Sequence, residues 1–396
     1  MDYRELEKIC KKRIVIWGYG AYGKAYAYLA LKCVGSCLVA FCDREFKENE
    51  SYKNIPLISK EDFFENYLDV FTFISMKSIE QQEKVKHELK EHGIESAIFD
   101  QRSFSELCTS IIESEDEEVL ERYNEIINDE KYLSYMYEFK TGEKLDLIAP
   151  KTFNSKLQWL KMHGKYDIYT KLVDKSEVKS IVAEVIGEEY IIPTIGIWDS
   201  FEKIDFETLP DRFILKCTHD SGSALICHDK KTFDYESAKL MFKRALHTNL
   251  YWITREMPYK NVRPRIIAEP LLENSDGGEL KDYKVFSFNG EPQIIQVDYD
   301  RFTNHTRAMY STNWDYLGFS TEYTLHKQEE PKPEKLEKIL ELTRKLSKDM
   351  DHTRVDFYIV GNNIYFGELT FFHGSGYEKF SDEYWNERMG AMITAC

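Results

Sequence analysis

Two carboxylates in one short stretch offer the clearest chemistry. In TRVDFYIVGNNIYFGELTFFHGSG, Thr353 to Gly376, Val355, Phe357 and Ile359 alternate along one run, and Ile364, Phe366 and Leu369 follow on the next. Gly361-Asn362-Asn363 supplies a turn between them, so the stretch predicts a β-hairpin. That hairpin brings Asp356 and Glu368 near each other across the ladder. Facing carboxylates repel unless a cation lies between them, and an oxygen-lined gap of this kind suits Mg²⁺ bridging the phosphates of a nucleotide. A solvated sheet face would account for the same charges without a ligand.

Other residues supply cations to match. Lys216 sits in an otherwise apolar strand, RFILKC (Arg212–Cys217), where an ammonium is costly without an anion. The turn Thr218-His219-Asp220-Ser221-Gly222-Ser223 and a return strand, Ala224–His228, complete a flap whose backbone N–H groups can close over phosphates. Arg265–Leu272, RIIAEPLL, reads as an apolar strand with free backbone groups for an adenine edge. In LKDYKVF, Asp282 and Lys284 stand two apart and share a strand face. Asn289-Gly290 marks a further hairpin turn, and Glu334–Met350 is an amphipathic helix leading into the opening hairpin.

A second constellation lies near the N-terminus. Gly18-Tyr19-Gly20-Ala21-Tyr22-Gly23 falls between an apolar strand, Arg13–Trp17, and a helix, Lys24–Lys32. Asp43 ends the next strand, Cys37–Cys42, about 20 residues beyond the last glycine. The spacing suits a pyrophosphate at Gly18, Gly20 and Gly23 and a ribose hydroxyl at Asp43. A scaffold that keeps its glycines for tight helix–strand packing fits the same residues. Strand and helix signals keep alternating to Phe99, which predicts a right-handed parallel α/β unit. No partner domain for hydride transfer follows, which disfavours an oxidoreductase.

Composition narrows the field. The 396 residues, 42% of them apolar, suffice for two or three cored domains. A net charge of −16 argues against a general nucleic-acid binder or a protein held on anionic lipid. Cys10, Cys33, Cys37, Cys42, Cys108, Cys217, Cys227 and Cys396 form no CxxC pair and fit no zinc spacing, so reduced thiols are expected. The start MDYRELEKICKK is charged and no run approaches membrane-spanning length, which predicts a cytoplasmic protein.

With FNSKLQWLK, Asp174-Lys175, LPDRFILKCTHDSG, IIAEPLL, DYKVF, RVDFY and FGELT in this order, the chain resembles ATP-grasp proteins over about residues 120 to 396. It is most similar to their TupA-like branch, named for teichuronopeptide synthesis and found with capsule and surface-polysaccharide enzymes. The resemblance implies an α/β and α+β multidomain chain. With the N-terminal α/β unit, the expected architecture is a Rossmann-like parallel sheet over 1–104, a helical connector over 105–150, and an ATP-grasp fold over 151–396 with its lid at about 176–268. The resemblance implies Lys175, Lys216, His219, Ser221, Gly222, Ser223, Glu269, Leu271, Leu272 and Asp282 around ATP. Lys284, Arg307 and Arg354 become the catalytic cations, and Asp356, Glu368 and Thr370 the Mg²⁺ ligands. Two departures stand out: Thr370 replaces the usual Asn, and the flap carries Asp220 and a single glycine.

The implied reaction is a carboxylate–amine ligation through an acyl phosphate. It would join a uronic acid of a surface glycan, or of its nucleotide-sugar precursor, to an amino acid or small amine. The N-terminal unit is a possible seat for the nucleotide-sugar. An ATP-grasp sugar kinase and a non-enzymatic nucleotide-binding module of capsule assembly are the alternatives.

Overall fold

The structure is a computed structural model and describes residues 1–164, 166–274, 280–299 and 304–395; Cys396 lies outside them. The chain divides into two compact units, Met1–Phe139 with His247–Arg255, and Lys140–Leu246 with Glu256–Cys396.

In the first unit β1 (Arg13–Trp17), β2 (Cys37–Cys42), β3 (Ser51–Tyr52), β4 (Ile55–Ile58), β5 (Phe71–Ile74) and β6 (Ser96–Ile98) form one sheet, ordered β3-β4-β2-β1-β5-β6. β1 pairs in parallel with β2 and β5, and parallel pairing continues to β4 and β6. Ile14, Val15 and Ile16 are wholly buried, as a strand covered on both faces requires. The glycine loop leaves β1 where the order reverses, the usual ligand position in such sheets. Two features were not legible. A small antiparallel hairpin, β3–β4, turns on Lys53 and Asn54, both at positive φ. The helix after the glycines opens with a π-helical segment, Tyr22–Ala27, before Tyr28–Cys33, starting where Gly23 presses on the Gly18 carbonyl.

Residues 105–139, read as a connector, fall within this unit. They do not form one continuous helix: Glu115 takes a left-handed φ of 53° and Asp116 caps a new helix, Glu117–Arg122. The segment His247–Arg255 is anchored beside them. Arg255 is buried, pairs with Asp129 at 2.8 Å and lies 4.0 Å over the Tyr132 ring.

The second unit holds two sheets. β7 (Gly196–Trp198), β8 (Phe213–Cys217), β9 (Ala224–Cys227) and β10 (Ile266–Pro270) form an antiparallel sheet in the order β7-β10-β8-β9. β11 (Asp282–Phe288), β12 (Glu291–Tyr299), β13 (Thr306–Ser311), β14 (Thr324–Leu325), β15 (His352–Val360) and β16 (Asn363–Thr370) form the other, ordered β14-β13-β12-β11-β15-β16. The helix Leu336–Leu346 buries Leu336, Ile339, Leu340, Leu342, Thr343 and Leu346 in the same core as this sheet. Every residue of β11 is buried, so its polar side chains must find partners inside the protein. No helix among the described residues is long and apolar enough to cross a membrane.

Candidate active site

β11, β12, β13 and β15 carry a closed ring of charges. Lys284 Nζ donates to Asp282 and, at 2.8 Å, to Asp356 Oδ2. Arg354 grips Asp356 with two nitrogens, Nε to Oδ1 at 2.6 Å and Nη2 to Oδ2 at 2.7 Å, and Nη2 also reaches Glu368 Oε1 at 2.8 Å. Its Nη1 lies 2.6 Å from His373 Nδ1, and His373 Nε2 lies 2.9 Å from Glu378 Oε2. Arg307 closes the circuit through Glu378 at 2.9 Å and Asp298 at 2.7 Å, and Asp298 stands 3.9 Å from Lys284. Asp282 and Lys284 thus share a face, as their spacing predicts.

Burial sharpens these contacts. Burial alone would raise the Asp356 carboxyl, but Arg354 and Lys284 hold it far below the ordinary carboxylate range. Burial likewise opposes ionisation of Glu378, and His373 and Arg307 overcome it. Burial pushes His373 down, which agrees with an Nδ1 that accepts from a guanidinium.

A β-bulge aims Glu368. The β15–β16 register runs Val355↔Leu369 and then Phe357↔Phe366, so Gly367 and Glu368 together oppose Asp356. The spacing of Ile364, Phe366 and Leu369, two and then three, already carries that irregularity. Beyond β16 the loop takes three successive left-handed residues, Gly374, Ser375 and Gly376. One face of the helix Phe153–His163 fixes it. Asn154 donates to the Glu378 carbonyl at 2.8 Å, Gln158 to those of Ser375 and Gly376 at 2.9 Å, and Lys161 to Ser375 at 2.9 Å. FNSKLQWLK therefore holds the loop that carries His373 and Glu378. Sequence reasoning did not assign Glu378; the spacing of Asn154, Gln158 and Lys161 at i, i+4 and i+7 was the available signal.

The flap forms as a strand, turn and strand, with Ser221 and Gly222 exposed at its tip and Gly222 at φ +133°. Asp174 caps the backbone of Ser176 and pairs with Arg265 at 2.8 Å, and the adjoining Lys175 donates to the Asp220 carbonyl. The Asp220 carboxylate accepts from the Ser223 hydroxyl. His219 is turned inward, buried, with Nε2 3.0 Å from the Ala245 carbonyl. The flap can therefore offer an anion Ser221 and backbone amides rather than His219.

The anion that Lys216 demanded is internal: Glu269 Oε2, at 2.7 Å. Lys179, which the sequence did not single out, holds Glu269 Oε1 at 2.5 Å. The expected open edge of the β10 strand is also narrower, because β7 covers Ile266 to Ala268 and stops there. Glu269, Pro270, Leu271 and Leu272 are left beyond its reach, Leu271 and Leu272 half-buried. Burial holds the Tyr259 hydroxyl well above the ordinary value, and the Glu256, Glu368 and Asp220 carboxylates add to this.

Arg307 is buried, and its Nε and Nη1 are spent on Asp298, Thr321 and Glu378, so it braces the ring from behind. Thr370 Oγ1 lies 3.3 Å from Glu368 Oε1. Among the described residues no group of three or more His, Cys, Asp or Glu is arranged to hold a metal. Mg²⁺ asks for less, one or two carboxylates with phosphates and water completing its shell. Asp356 and Glu368 fit that role. They share one cationic nitrogen, Arg354 Nη2, as they would a metal.

In the first unit the three glycines separate by cause. An added Cβ at Gly18 would collide with the Ser75 carbonyl and one at Gly23 with the Gly18 carbonyl, so packing requires both. At Gly20 a Cβ meets nothing within 4 Å, and no packing explains that glycine. Asp43 accepts from Tyr19 N–H at 2.8 Å and Glu45 N–H at 3.1 Å, so it already serves to hold the loop.

The sequence profile of the TupA-like ATP-grasp family matches residues 155–394. No curated protein matches the chain. Solved structures similar to it include a D-alanine–D-alanine ligase from Bacillus anthracis complexed with ATP, 12% identical, covering 91% of this chain and 85% of that one at a TM-score of 0.31. The Helicobacter pylori D-alanine–D-alanine ligase is 14% identical over 62% of this chain and 67% of its own, TM-score 0.34. The ATP-grasp ligase PsnB complexed with minimal precursor is 8% identical over 76% and 90%, TM-score 0.32.

Proposed function

The chain belongs to the TupA-like ATP-grasp family of ATP-dependent ligases, and from that premise we propose that it joins a uronic-acid carboxylate to an amino acid or small amine. The uronate belongs to a surface glycan or its nucleotide-linked precursor. The observation that carries the reading is Arg354, held between Asp356 and Glu368 beside Lys284.

In this reading Lys175, Lys216 and the flap amides bind the triphosphate, and Lys284 and Arg354 face its γ-phosphoryl group. A carboxylate oxygen of the uronate attacks the γ-phosphorus, the bond to the β-phosphate oxygen breaks, and ADP leaves. The amine then attacks the acyl carbon, loses a proton, and expels phosphate to leave an amide. Charge building on the transferring oxygens is met by the Arg354 guanidinium, which His373 and Asp356 keep from rotating. Mg²⁺ would be held by Asp356 and Glu368 and would neutralise phosphate charge. The N-terminal unit is assigned the sugar-bearing partner, a placement that Gly20 supports.

The test is ADP release from the full chain with a panel of uronates and amines, each omitted in turn. Release that needs both substrates, with a product heavier by the amine less one water, supports the ligase. Release with a uronate alone, giving a stable phosphorylated sugar, contradicts it.

A further inference from the structure

Glu269 is buried at 4% exposure between two ammonium groups, and the two are not equivalent. Lys179 also donates to the Ile192 carbonyl at 2.8 Å and to Thr194 Oγ1 at 3.0 Å. With Glu269 this uses all three protons of the ammonium. Lys216 donates to Glu269 alone among the described residues, and its side chain is more exposed, 22% against 14%. One lysine is therefore fixed and the other is able to leave.

If Lys216 turns to a phosphate, Glu269 stays behind in a place where an unpaired carboxylate is strongly unfavourable. We propose that Lys179 is a positioning residue for nucleotide binding: as the permanent counter-ion of Glu269, it lets Lys216 engage a nucleotide phosphate without stranding a buried charge. This rests on the assignment of Lys216 to ATP above. The simpler role, tying the helix Val178–Ile186 to residues 192–194, would leave ATP affinity uncoupled from Glu269.

Calorimetric titration of the full chain with Mg-ATP separates the two. Lys179→Met should weaken binding by about tenfold or more, because Glu269 then retains Lys216. Lys179→Arg keeps the charge and should restore most of the affinity. Glu269→Gln should bind tighter than wild type, since Lys216 no longer has a competitor. The double variant should return to within about threefold of Glu269→Gln, a non-additivity that a tether does not produce. Wild-type affinity in Lys179→Met, or a double variant as weak as Lys179→Met, overturns the proposal while leaving the ATP site standing. No Mg-ATP binding by the wild type would remove the ATP site itself, and the proposal with it. Should Lys179→Met not fold, Glu269→Gln alone decides: tighter binding upholds the proposal and weaker binding overturns it.

Discussion

Replacing Arg354 with Gln removes the cation that Asp356 and Glu368 share. The wild-type guanidinium makes two contacts with Asp356, at 2.6 and 2.7 Å, one with Glu368 at 2.8 Å and one with His373 at 2.6 Å. Gln keeps part of the stem and none of the charge. Removing one partner of a buried pair costs about 3–5 kcal/mol. Glu368 is 43% exposed and can turn to water, and Asp356 keeps Lys284, so the lower end applies. At about 2–4 °C per kcal/mol for a unit of this size, the midpoint should fall by about 6–12 °C. A divalent cation can replace the missing charge, so millimolar Mg²⁺ should stabilise Arg354→Gln more than the wild type, and a chelator should reverse this. Arg354→Lys should recover little, because an ammonium cannot bridge the two carboxylates bidentately. Scanning calorimetry with and without Mg²⁺ reads both effects. A midpoint within about 2 °C of wild type in both conditions would refute the account of this cluster.

Gly23→Val should prevent the N-terminal unit from folding, whereas Gly20→Val should fold normally and lose affinity for a nucleotide-linked uronate; equal melting losses in both would contradict the distinction drawn between them. His352 is fully buried, and burial holds it down to about 3. A histidine in the unfolded chain binds its proton near about 6.5, so the folded state binds fewer, and stability complete above that pH falls below it by about 1.4 kcal/mol per unit, about 2 kcal/mol by pH 5. His373 adds to the same slope, while Asp356 and Glu378, both held low, lose their contribution only below the ordinary carboxylate range of about 4. Melting of His352→Phe across pH 4 to 7 should show a slope shallower by one proton, and an unchanged slope would contradict this. Glu368→Gln should fold and lose turnover by orders of magnitude; retention of most activity would remove Glu368 from the reaction.

Much of the frame was legible because local patterns determine it. Ile14–Ile16 reads as a buried parallel strand whatever its neighbours, and Asn289-Gly290 makes its turn with both residues at positive φ. Asp356 follows from alternation along its strand, whereas Glu368 comes beside it through the bulge that the uneven spacing of Ile364, Phe366 and Leu369 carries. What stayed hidden depends on partners far apart in sequence or on irregular backbone. Lys179 gains meaning only from Glu269, 90 residues later, and the anion that the strand pattern demands for Lys216 is one the protein supplies itself. Glu378 sits past three left-handed residues whose path no periodicity describes. His219 shares its turn with the exposed Ser221 but points the other way, a difference set by Ala245 on a distant helix.

If a carboxylate is phosphorylated on the way to an amide, hydroxylamine should intercept the intermediate. An acyl phosphate reacts with hydroxylamine to give a hydroxamate, and a phosphate ester does not. The full chain with Mg-ATP, a uronate it accepts and hydroxylamine should form a hydroxamate and ADP in equal amounts, and Arg354→Gln should not. ADP release accompanied by a phosphorylated sugar and no hydroxamate would contradict this route.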